Sequence, residues 1–432
     1  MRILLISLAL LLSSQTFALI IPDEYRSGRE ICKSTKRPKE HEIWLKVPVD
    51  YDYAERGMTD LFAWTNKPFD PLKKTVVFVS GGPGDTAHKS YLELHDWNVI
   101  FFDQRGNSCS RPATKELYLD PTFYSSEKTA RDIEEIRKAL GIQKVSVYGV
   151  SYGTVVGHLY GHHFPESTRA IVLEGVVFRG GIPLMRPQSR TRTLQSFFDS
   201  LPALTQERIL EISNDPLIAK NWFSKVGTMM LYMDNSLETY KTFLENILFN
   251  DDVLYPVLKT FEYKEAMDEE FGYGHVMMGM IGCQELGMNL KGISFYSVFQ
   301  DRKLVSDNFN DLDENYCVSL GLESDEFTNL YDAGKNISFS PTTYIQGSMD
   351  GATSVDGAFL HYQLASKGFS QFVLVDQGGH APLHGPVSSG YERGQTVELR
   401  LEVLRMALLG EKISKEKLAK LSESSALSWT HR

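Results

Sequence analysis

The stretch Gly149-Val150-Ser151-Tyr152-Gly153 constrains the fold of this chain more than any other part of the sequence. A run rich in β-branched residues (144–147) precedes it, and a run compatible with a helix (154–163) follows it. A serine between two glycines at such a junction is typical of a tight turn that projects the hydroxyl above a sheet, because each glycine removes a clashing Cβ atom. We therefore expect Ser151 to be a nucleophile, with the backbone N–H of Tyr152 directed at a developing oxyanion. The alternative is a helix start of small residues that packs closely against a strand.

The rest of the chain alternates between predicted strands and helices, as in a parallel sheet covered by helices. Continuous apolar runs predict buried strands, and Pro48 favours a sheet edge for the first of them. The predicted strands are Ile43–Tyr53, Thr59–Thr65, Thr75–Val79, Trp97–Phe102, Arg169–Leu173, Thr342–Ile345 and Gln371–Val375. The predicted helices include Glu127–Leu140, Val355–Lys367 and Arg393–Leu409. The remaining tail, Lys412–Arg432, is polar, and we expect it to be partly frayed.

This alternation stops at about Arg179 and resumes near Thr342, which indicates an insertion between two core strands. Helical-looking segments dominate the interval, so we predict a cap domain over the site at Ser151. A methionine cluster within His275–Glu285 fits the lining of a pocket or of the cap core better than a soft-metal site. The expected organisation is a signal peptide at 1–18, a first core part at 19–178, a helical cap at 179–338 and a second core part at 339–432.

A serine hydroxyl needs a neighbouring base, and the base needs a group that orients it. Asp350 follows one late predicted strand and His380 follows the next, so both lie on glycine-rich loops at the same edge of the sheet. We therefore predict a catalytic triad of Ser151, Asp350 and His380.

Three nearby residues are alternatives to this triad. Asp376 is too close to His380 in sequence to orient its ring easily, and Asp356 should begin a helix. His384 is the alternative base, although a histidine in a surface loop is its simpler interpretation.

The loop Gly81-Gly82-Pro83-Gly84 directly follows a predicted buried strand. Three glycines and a proline build a loop where the backbone can approach a ligand closely. We expect the N–H of Gly82, or of Gly81 as the alternative, to be the second oxyanion donor, a plain tight turn being the simpler interpretation. Asp103 and Arg105 follow the next strand, and we interpret them as a polar network that braces the loop.

Five short motifs in series resemble the branch of the α/β-hydrolases that contains the prolyl and tripeptidyl aminopeptidases. They are Gly81-Gly82-Pro83-Gly84, Asp103-Gln104-Arg105-Gly106, the stretch at Ser151, Gly347-x-x-Asp350-Gly351 and Gly379-His380. The resemblance implies the α/β-hydrolase fold, with a mostly parallel central sheet and a mainly helical cap domain inserted before the last core strands. It also implies an exported serine aminopeptidase that forms an acyl-enzyme and releases proline or a short peptide from a free amino terminus. Ser80, where prolyl enzymes usually have histidine, and Asn107–Ser110, which replaces a second glycine, depart from the prolyl pattern.

The resemblance further implies carboxylates that hold the free amine of the substrate. Glu285 is the candidate by motif position, and Glu174 is a weaker one. A cation paired with a partly desolvated carboxylate would supply that selectivity, although a surface or structural carboxylate is the simpler interpretation of either residue. An esterase or other acyl hydrolase is the alternative function, because fold and triad do not fix the acyl group.

The four cysteines are an even number, which in an exported chain permits three disulfide pairings. We favour Cys283–Cys317 and Cys32–Cys109, with buried free thiols as the alternative. No cysteine or histidine cluster has zinc spacing. His158 and His162 lie one helical turn apart but lack a third ligand, so we predict no metal and no cofactor.

Residues 1–18 have the features of a secretory signal, with Arg2 before an apolar stretch and small residues near Ala18. A buried N-terminal helix or strand is the alternative. No later segment is long and apolar enough to cross a bilayer, so we expect an exported protein, periplasmic or secreted, without a stable membrane anchor. A net charge of −10 without a basic stripe argues against a nucleic-acid partner. The expected partner is a peptide substrate, and the oligomeric state stays open.

Overall fold

The structure, a computed structural model, describes residues 25–34, 41–86, 92–178, 195–215, 237–254, 269–287, 317, 320–322, 331–350, 352–389, 394–425 and 427–432. The predicted signal peptide at 1–18 lies outside these residues, as do large parts of the predicted cap at 179–338 and Gly351 of the Asp350 motif.

The described residues form one nine-stranded sheet. Its strands are β1 (Glu42–Pro48), β2 (Met58–Thr65), β3 (Lys74–Val79), β4 (Trp97–Phe102), β5 (Val145–Val150), β6 (Thr168–Glu174), β7 (Thr342–Gly347), β8 (Ser370–Asp376) and β9 (Ser428–His431). They are ordered β1-β2-β4-β3-β5-β6-β7-β8-β9. Strands β3 to β8 pair in parallel, whereas β1, β2 and β9 are joined by antiparallel ladders. The mostly parallel sheet predicted from the sequence is therefore confirmed.

Helices lie before and between these strands. They are α1 (Gly28–Ser34), α2 (Lys115–Tyr118), α3 (Ser126–Ala139), α4 (Gly153–His163), α5 (Ala203–Ser213), α6 (Leu237–Leu248), α7 (Glu269–Glu285), α8 (Val355–Ala365), α9 (His384–Ser389), α10 (Gln395–Leu409) and α11 (Lys415–Ser425). Residues 195–199 and 251–254 are helical as well. Local signals fix several ends: the Ser125 side chain caps α3 at the Lys128 N–H, and left-handed Gly410 ends α10.

The central strands are buried on both faces because successive side chains point to opposite sides of a strand. In β3, Val77 packs in a cluster that contains Ile133 of α3 and Val155 of α4. Its neighbour Val76 packs in a second cluster that contains Leu404 of α10. This three-layer arrangement of helix, sheet and helix places the carboxyl ends of the parallel strands at one edge, where the candidate site lies.

The C-terminal tail is ordered, so the expectation of a partly frayed segment is wrong. It forms helix α11 and strand β9, and β9 pairs with β8 through partners such as Trp429 and Val375. Leu418, Leu421 and Trp429 are buried. Few apolar residues in this tail suffice, because the helix spacing places Leu418 and Leu421 on one face of α11 and the pairing with β8 helps to bury Trp429.

The insertion between β6 and β7 is helical in its described regular elements, which are α5, α6 and α7. Helix α7 packs on the core, since Met277, Met280 and Ile281 are buried in the same cluster as Tyr152. The mainly helical insertion before the last core strands is thus present, whereas the domain boundaries at 178 and 338 stay predictions.

Two disulfide bonds join distant parts of the chain, in the pairs favoured from the sequence. Cys32 of α1 is bonded to Cys109 in the turn after β4. Cys283, near the end of α7, is bonded to Cys317.

Candidate active site

The turn at Ser151 is as tight as the sequence motif predicts. Ser151 has a φ of 56°, in the left-handed region where a residue other than glycine costs of order 1–3 kcal/mol. A Cβ atom at Gly149 would lie 2.1 Å from the carbonyl oxygen of Gly153, and one at Gly153 would lie 2.2 Å from that of Val79. Only glycine fits at either position, so the strand and the helix can approach closely enough to hold Ser151 in its strained conformation.

Hydrogen bonds on both sides fix this turn. The Ser151 N–H donates to the carbonyl oxygen of Glu174 at 2.9 Å, which ties the turn to the end of β6. The Thr154 hydroxyl donates to the Ser151 carbonyl at 2.6 Å and accepts from the N–H of Val177 at 3.0 Å. Ser151 itself is half-buried, so its side chain stays within reach of solvent and substrate.

Asp350 and His380 are brought together by the loops after β7 and β8. His380 Nδ1 lies 2.9 Å from Asp350 Oδ2, and both residues are buried. The same carboxylate accepts hydrogen bonds from Gln346 Nε2, from the Thr353 hydroxyl and from the N–H groups of Ala352 and Thr353. Burial alone would raise the pKa of Asp350, but the charge and hydrogen bond of His380 and the bonds from Thr353 hold it below its ordinary value. An ionised aspartate is therefore directed at the imidazole.

Glycines again allow the close approach. A Cβ atom at Gly347 would lie 2.0 Å from the carbonyl oxygen of Gly379, so the Asp350 and His380 loops meet there without side chains. Gly175, with a φ of 62°, lies against His380: a Cβ atom there would lie 2.6 Å from its carbonyl oxygen and 3.0 Å from Nδ1. His380 therefore packs on the residue that follows Glu174, whose carbonyl holds Ser151.

The three alternatives to the triad lie in other surroundings. Asp376 is exposed and accepts from the Ser348 hydroxyl, and Asp356 lies in the first turn of α8. The simpler interpretation of His384, a surface loop, is wrong: it begins α9, is partly buried and stacks on Phe78 at 4.6 Å between ring centroids. Burial lowers the pKa of His384 to about 4.

The glycine loop after β3 lies beside Ser151. A Cβ atom at Gly81 would lie 3.0 Å from the Cβ of Ser151, and Gly82 has a φ of 101°. Two buried amides brace this loop: Gln104 Nε2 donates to the Ser80 carbonyl at 3.0 Å, and Asn107 Nδ2 donates to the Gly84 carbonyl at 2.6 Å. These bonds fix the backbone of the loop next to Ser151.

Asp103 and Arg105 brace the backbone, as interpreted from the sequence. Arg105 is 1% exposed and makes a bidentate pair with the buried Asp132 at 2.6 and 2.9 Å. It also donates to the carbonyl of Val49, while Asp103 accepts from the N–H of Cys109. A buried charge pair with its remaining donors satisfied fixes the loop after β4.

Glu285 ends α7 and reaches the start of α3. Its carboxylate accepts from the Ser126 N–H at 3.0 and 3.2 Å and from the Ser126 hydroxyl at 2.5 Å. The same hydroxyl lies 2.8 Å from the hydroxyl of Tyr152, the residue after Ser151. Glu285 is 6% exposed, and burial raises its pKa from 4.5 to about 7. Its hydrogen-bond partners in the described part of the chain are neutral groups, so any charge on the carboxylate is only partly compensated there.

Glu174, the second amine-binding candidate, is fully buried at the end of β6. Its carboxylate accepts from the N–H groups of Leu383 and His384 and from the hydroxyl of Tyr148. Desolvation raises the pKa of Glu174, although these hydrogen bonds oppose the shift. The described partners of this carboxylate are therefore groups of the protein itself, and its amine-binding role stays a prediction.

The histidines of α4 contact the backbone. His158 Nε2 contacts the carbonyl of Asn336, and His162 Nδ1 lies 2.8 Å from the carbonyl of Ile337. Within the described ranges, no group of three or more His, Cys, Asp or Glu side chains is placed to hold a metal ion. Of the helices in the part of the chain that the structure describes, none is both long and apolar enough to cross a membrane.

Sequence reasoning missed Ser126, which links Glu285 to Tyr152. A serine at the start of a predicted helix is a signal for capping, and nothing in its local sequence indicates a partner 159 residues away.

A family model described as the alpha/beta hydrolase fold matches residues 74–218. The proline iminopeptidase of Xylella fastidiosa (strain 9a5c) is 34% identical over 110 residues, which are 25% of this chain and 34% of that protein. The serine protease Hip1 of Mycobacterium tuberculosis (strain H37Rv) is 26% identical over 208 residues, 37% of this chain and 40% of that protein. The chain thus matches only about a third to two fifths of the length of these relatives.

Among solved structures, the proline iminopeptidase of Mycobacterium smegmatis aligns with a TM-score of 0.44 and 14% identity, over 88% of this chain and all of the other. The family match at 74–218 includes the strands and helices from β3 to β6 around Ser151. The chain therefore has the α/β-hydrolase fold and resembles the proline iminopeptidase branch of the hydrolases with that fold.

Proposed function

We propose that this chain is a serine hydrolase that cleaves peptides close to a free amino terminus, with Ser151, His380 and Asp350 as its triad. The observation that carries the proposal is the 2.9 Å pairing of His380 Nδ1 with Asp350 Oδ2. The His380 ring lies against Gly175, and the preceding residue, Glu174, accepts from the N–H of the strained Ser151 turn. An aspartate on one ring nitrogen leaves the other ring nitrogen to act as the base. The similarity to proline iminopeptidases and to a serine protease supports the same chemistry.

The reaction proceeds in two acyl-transfer steps. His380 Nε2 takes the proton of the Ser151 hydroxyl while its oxygen attacks the substrate carbonyl carbon. Asp350 keeps the Nδ1–H oriented and stabilises the imidazolium that forms. The leaving amine then takes this proton, and an ester joins the acyl part of the substrate to Ser151. Water repeats the sequence, which frees the acid and restores the serine.

The tetrahedral intermediates need donors for their oxyanion. We assign this role to the N–H groups of Tyr152 and Gly82, with Gly81 as the alternative to Gly82. The short distance from the Gly81 position to Ser151 supports this assignment, because the glycine loop then borders the reacting carbonyl. The loss of one such donor costs roughly 100- to 1000-fold in rate.

Glu285 is our candidate for the group that holds the free amine. Its carboxylate is desolvated and reaches Tyr152 through a single hydroxyl, and its partners among the described residues are neutral groups. A substrate ammonium would supply the missing positive charge, which is a strong interaction at a site with little water. This reasoning favours an aminopeptidase over an esterase, since an ester without an amine gains nothing from Glu285.

We also propose that the protein is exported, to the periplasm or beyond. The disulfides Cys32–Cys109 and Cys283–Cys317 support this, because such bonds persist mainly in oxidising compartments. The signal-like residues 1–18 agree with it.

A matched substrate panel tests the function. It contains prolyl and tripeptidyl arylamides, each with a free and an acylated amino terminus, and a short-chain aryl ester. We expect cleavage of the free-amine peptides only, and the loss of that cleavage in a folded Ser151→Ala variant. Ester cleavage without peptide cleavage would replace the proposal with an acyl hydrolase, and activity retained by Ser151→Ala would remove the triad.

A further inference from the structure

The loop that carries His380 contacts two buried ionisable side chains. Its segment 382–384 makes hydrogen bonds to Glu174 and to Arg400 of α10, and both of these residues are 0% exposed. The Leu383 N–H donates to Glu174 Oε1 at 2.5 Å, and the His384 N–H lies 3.2 and 3.3 Å from the two carboxylate oxygens. Arg400 Nη1 donates to the carbonyl oxygen of Pro382 in the same segment.

This arrangement matches each side chain to the backbone groups that it faces. The loop N–H groups donate to the carboxylate oxygens, and the Pro382 carbonyl accepts from the guanidinium, a charged donor whose bonds are stronger than neutral ones. Every described partner of the Glu174 carboxylate is a donor, so its buried oxygens are hydrogen-bonded.

Glu174 also touches the other half of the site. Its own carbonyl oxygen accepts from the Ser151 N–H at 2.9 Å, and the next residue, Gly175, packs against the His380 ring. One residue therefore contacts the turn of the nucleophile through its backbone and the loop of the base through its side chain.

We propose that Glu174 and Arg400 are positioning residues that clamp segment 382–384 and thereby set the His380 ring relative to Ser151. They do not contact the substrate. The proposal rests on the assignment of His380 as the base, and it is independent of which acyl group the enzyme accepts. A base that is displaced by about 1 Å can lose roughly 100-fold in rate, so a clamp on its loop acts mainly on kcat.

Tyr148→Phe is the matched control. The Tyr148 hydroxyl donates to the same carboxylate, but it comes from β5 and does not belong to the His380 loop. This substitution removes one hydrogen bond from the Glu174 carboxylate, and both loop N–H groups keep their acceptor. Glu174→Gln keeps one acceptor oxygen for the loop N–H groups, and Glu174→Ala keeps none. If the clamp acts through these bonds, the rate should therefore fall further in Glu174→Ala than in Glu174→Gln.

The experiment measures kcat and KM on the best substrate, together with the rate of Ser151 phosphonylation by an aryl fluorophosphonate. We expect kcat and the labelling rate to fall about 10-fold in Glu174→Gln and about 100-fold in Glu174→Ala, with KM within about threefold. Both rates should fall less in Arg400→Lys, which keeps a donor, than in Arg400→Met. In Tyr148→Phe both rates should stay within about threefold of the wild-type values.

Three results would overturn the clamp. The first is a kcat of Glu174→Gln equal to that of Tyr148→Phe. The second is an effect of the Glu174 variants that is confined to a higher KM for free-amine substrates. The third is a kcat of Glu174→Gln no higher than that of an apolar Glu174→Leu variant. If Glu174→Ala does not fold, the Gln and Arg400 variants decide. A wild type that is labelled at Ser151 but cleaves no peptide removes the peptidase proposal and leaves the clamp measurable by labelling. An unlabelled wild type would overturn both.

Discussion

Glu174 and Glu285 are two buried glutamates on different sides of Ser151, and the resemblance to aminopeptidases implied the same task for both. Glu174 ends a core strand and contacts the loop after β8, on the His380 side. Glu285 ends α7 and contacts Ser126, whose hydroxyl meets Tyr152 on the other side. Both are buried carboxylates, so it is their hydrogen-bond partners that distinguish their roles.

The partners differ in number and in origin. Glu174 receives donors from β5 and from the histidine loop, so its carboxylate has no need of a substrate cation. Among the described residues, Glu285 receives donors from Ser126 alone, and burial raises its pKa to about 7. The comparison teaches that burial by itself does not identify a ligand-binding carboxylate. A desolvated carboxylate with few charged neighbours is stabilised when it binds a substrate ammonium. A carboxylate that already accepts hydrogen bonds from the backbone stabilises the fold instead.

Gly175→Ala tests the Glu174 side with the largest expected effect. An alanine there is strained at a φ of 62°, and its Cβ would lie 2.6 Å from the His380 carbonyl oxygen, so the ring must shift. We expect kcat to fall by roughly 100-fold or more. Gly141→Ala is the control, because Gly141 has a φ of 65° but nothing within 4 Å of its Cβ position. Equal kcat losses in both variants would assign the effect to backbone strain.

The stability of Glu285→Gln tests the other side. The pKa of Glu285 is about 7 in the folded protein and near the ordinary value of 4.5 in the unfolded chain. The stability that the protonated carboxyl contributes is therefore complete below about pH 4.5 and is lost as the pH rises through 7. Because glutamine does not ionise, the unfolding free energy of Glu285→Gln relative to wild type should rise by about 2–3 kcal/mol between pH 5 and pH 8. Denaturant titrations at both pH values measure it, and a flat difference would contradict the account.

Substrate binding separates the two glutamates with a smaller effect. Glu285→Gln should raise KM about 10-fold for free-amine peptides, because it loses one charge-assisted contact of about 1.5 kcal/mol or more, and should leave kcat nearly unchanged. Acylated peptides should show no difference between variant and wild type. Ser126→Ala, which keeps the carboxylate, should change KM less. A KM increase of the same size in Glu174→Gln would contradict the assignment of amine binding to Glu285 and not to Glu174.

Much of this site is visible in the sequence because its signals are local. Gly149, Ser151 and Gly153 specify a turn within five residues, and Asp350 and His380 each follow a strand on a glycine-rich loop. The family resemblance then supplied the amine-binding role of the glutamates, which no local pattern indicates. Contacts between segments far apart in the chain, such as those of Glu174 with residues 383 and 384, cannot be seen in either sequence segment.

The C-terminal tail illustrates the same limit. Trp429 is buried where β9 pairs with β8, and its partner Val375 lies more than fifty residues earlier. The short polar segment around it has no strand pattern of its own. Tertiary pairing overrides such weak local preferences.

The most direct test of the central claim, that Ser151 is the nucleophile activated by His380 and Asp350, is mass spectrometry of the protein after treatment with an aryl fluorophosphonate. We predict a single phosphonyl adduct on Ser151 in the wild type, formed about 10,000-fold more slowly in Asp350→Asn and absent in Ser151→Ala. An adduct on another residue, or an Asp350→Asn variant that is labelled at the wild-type rate, would contradict the account.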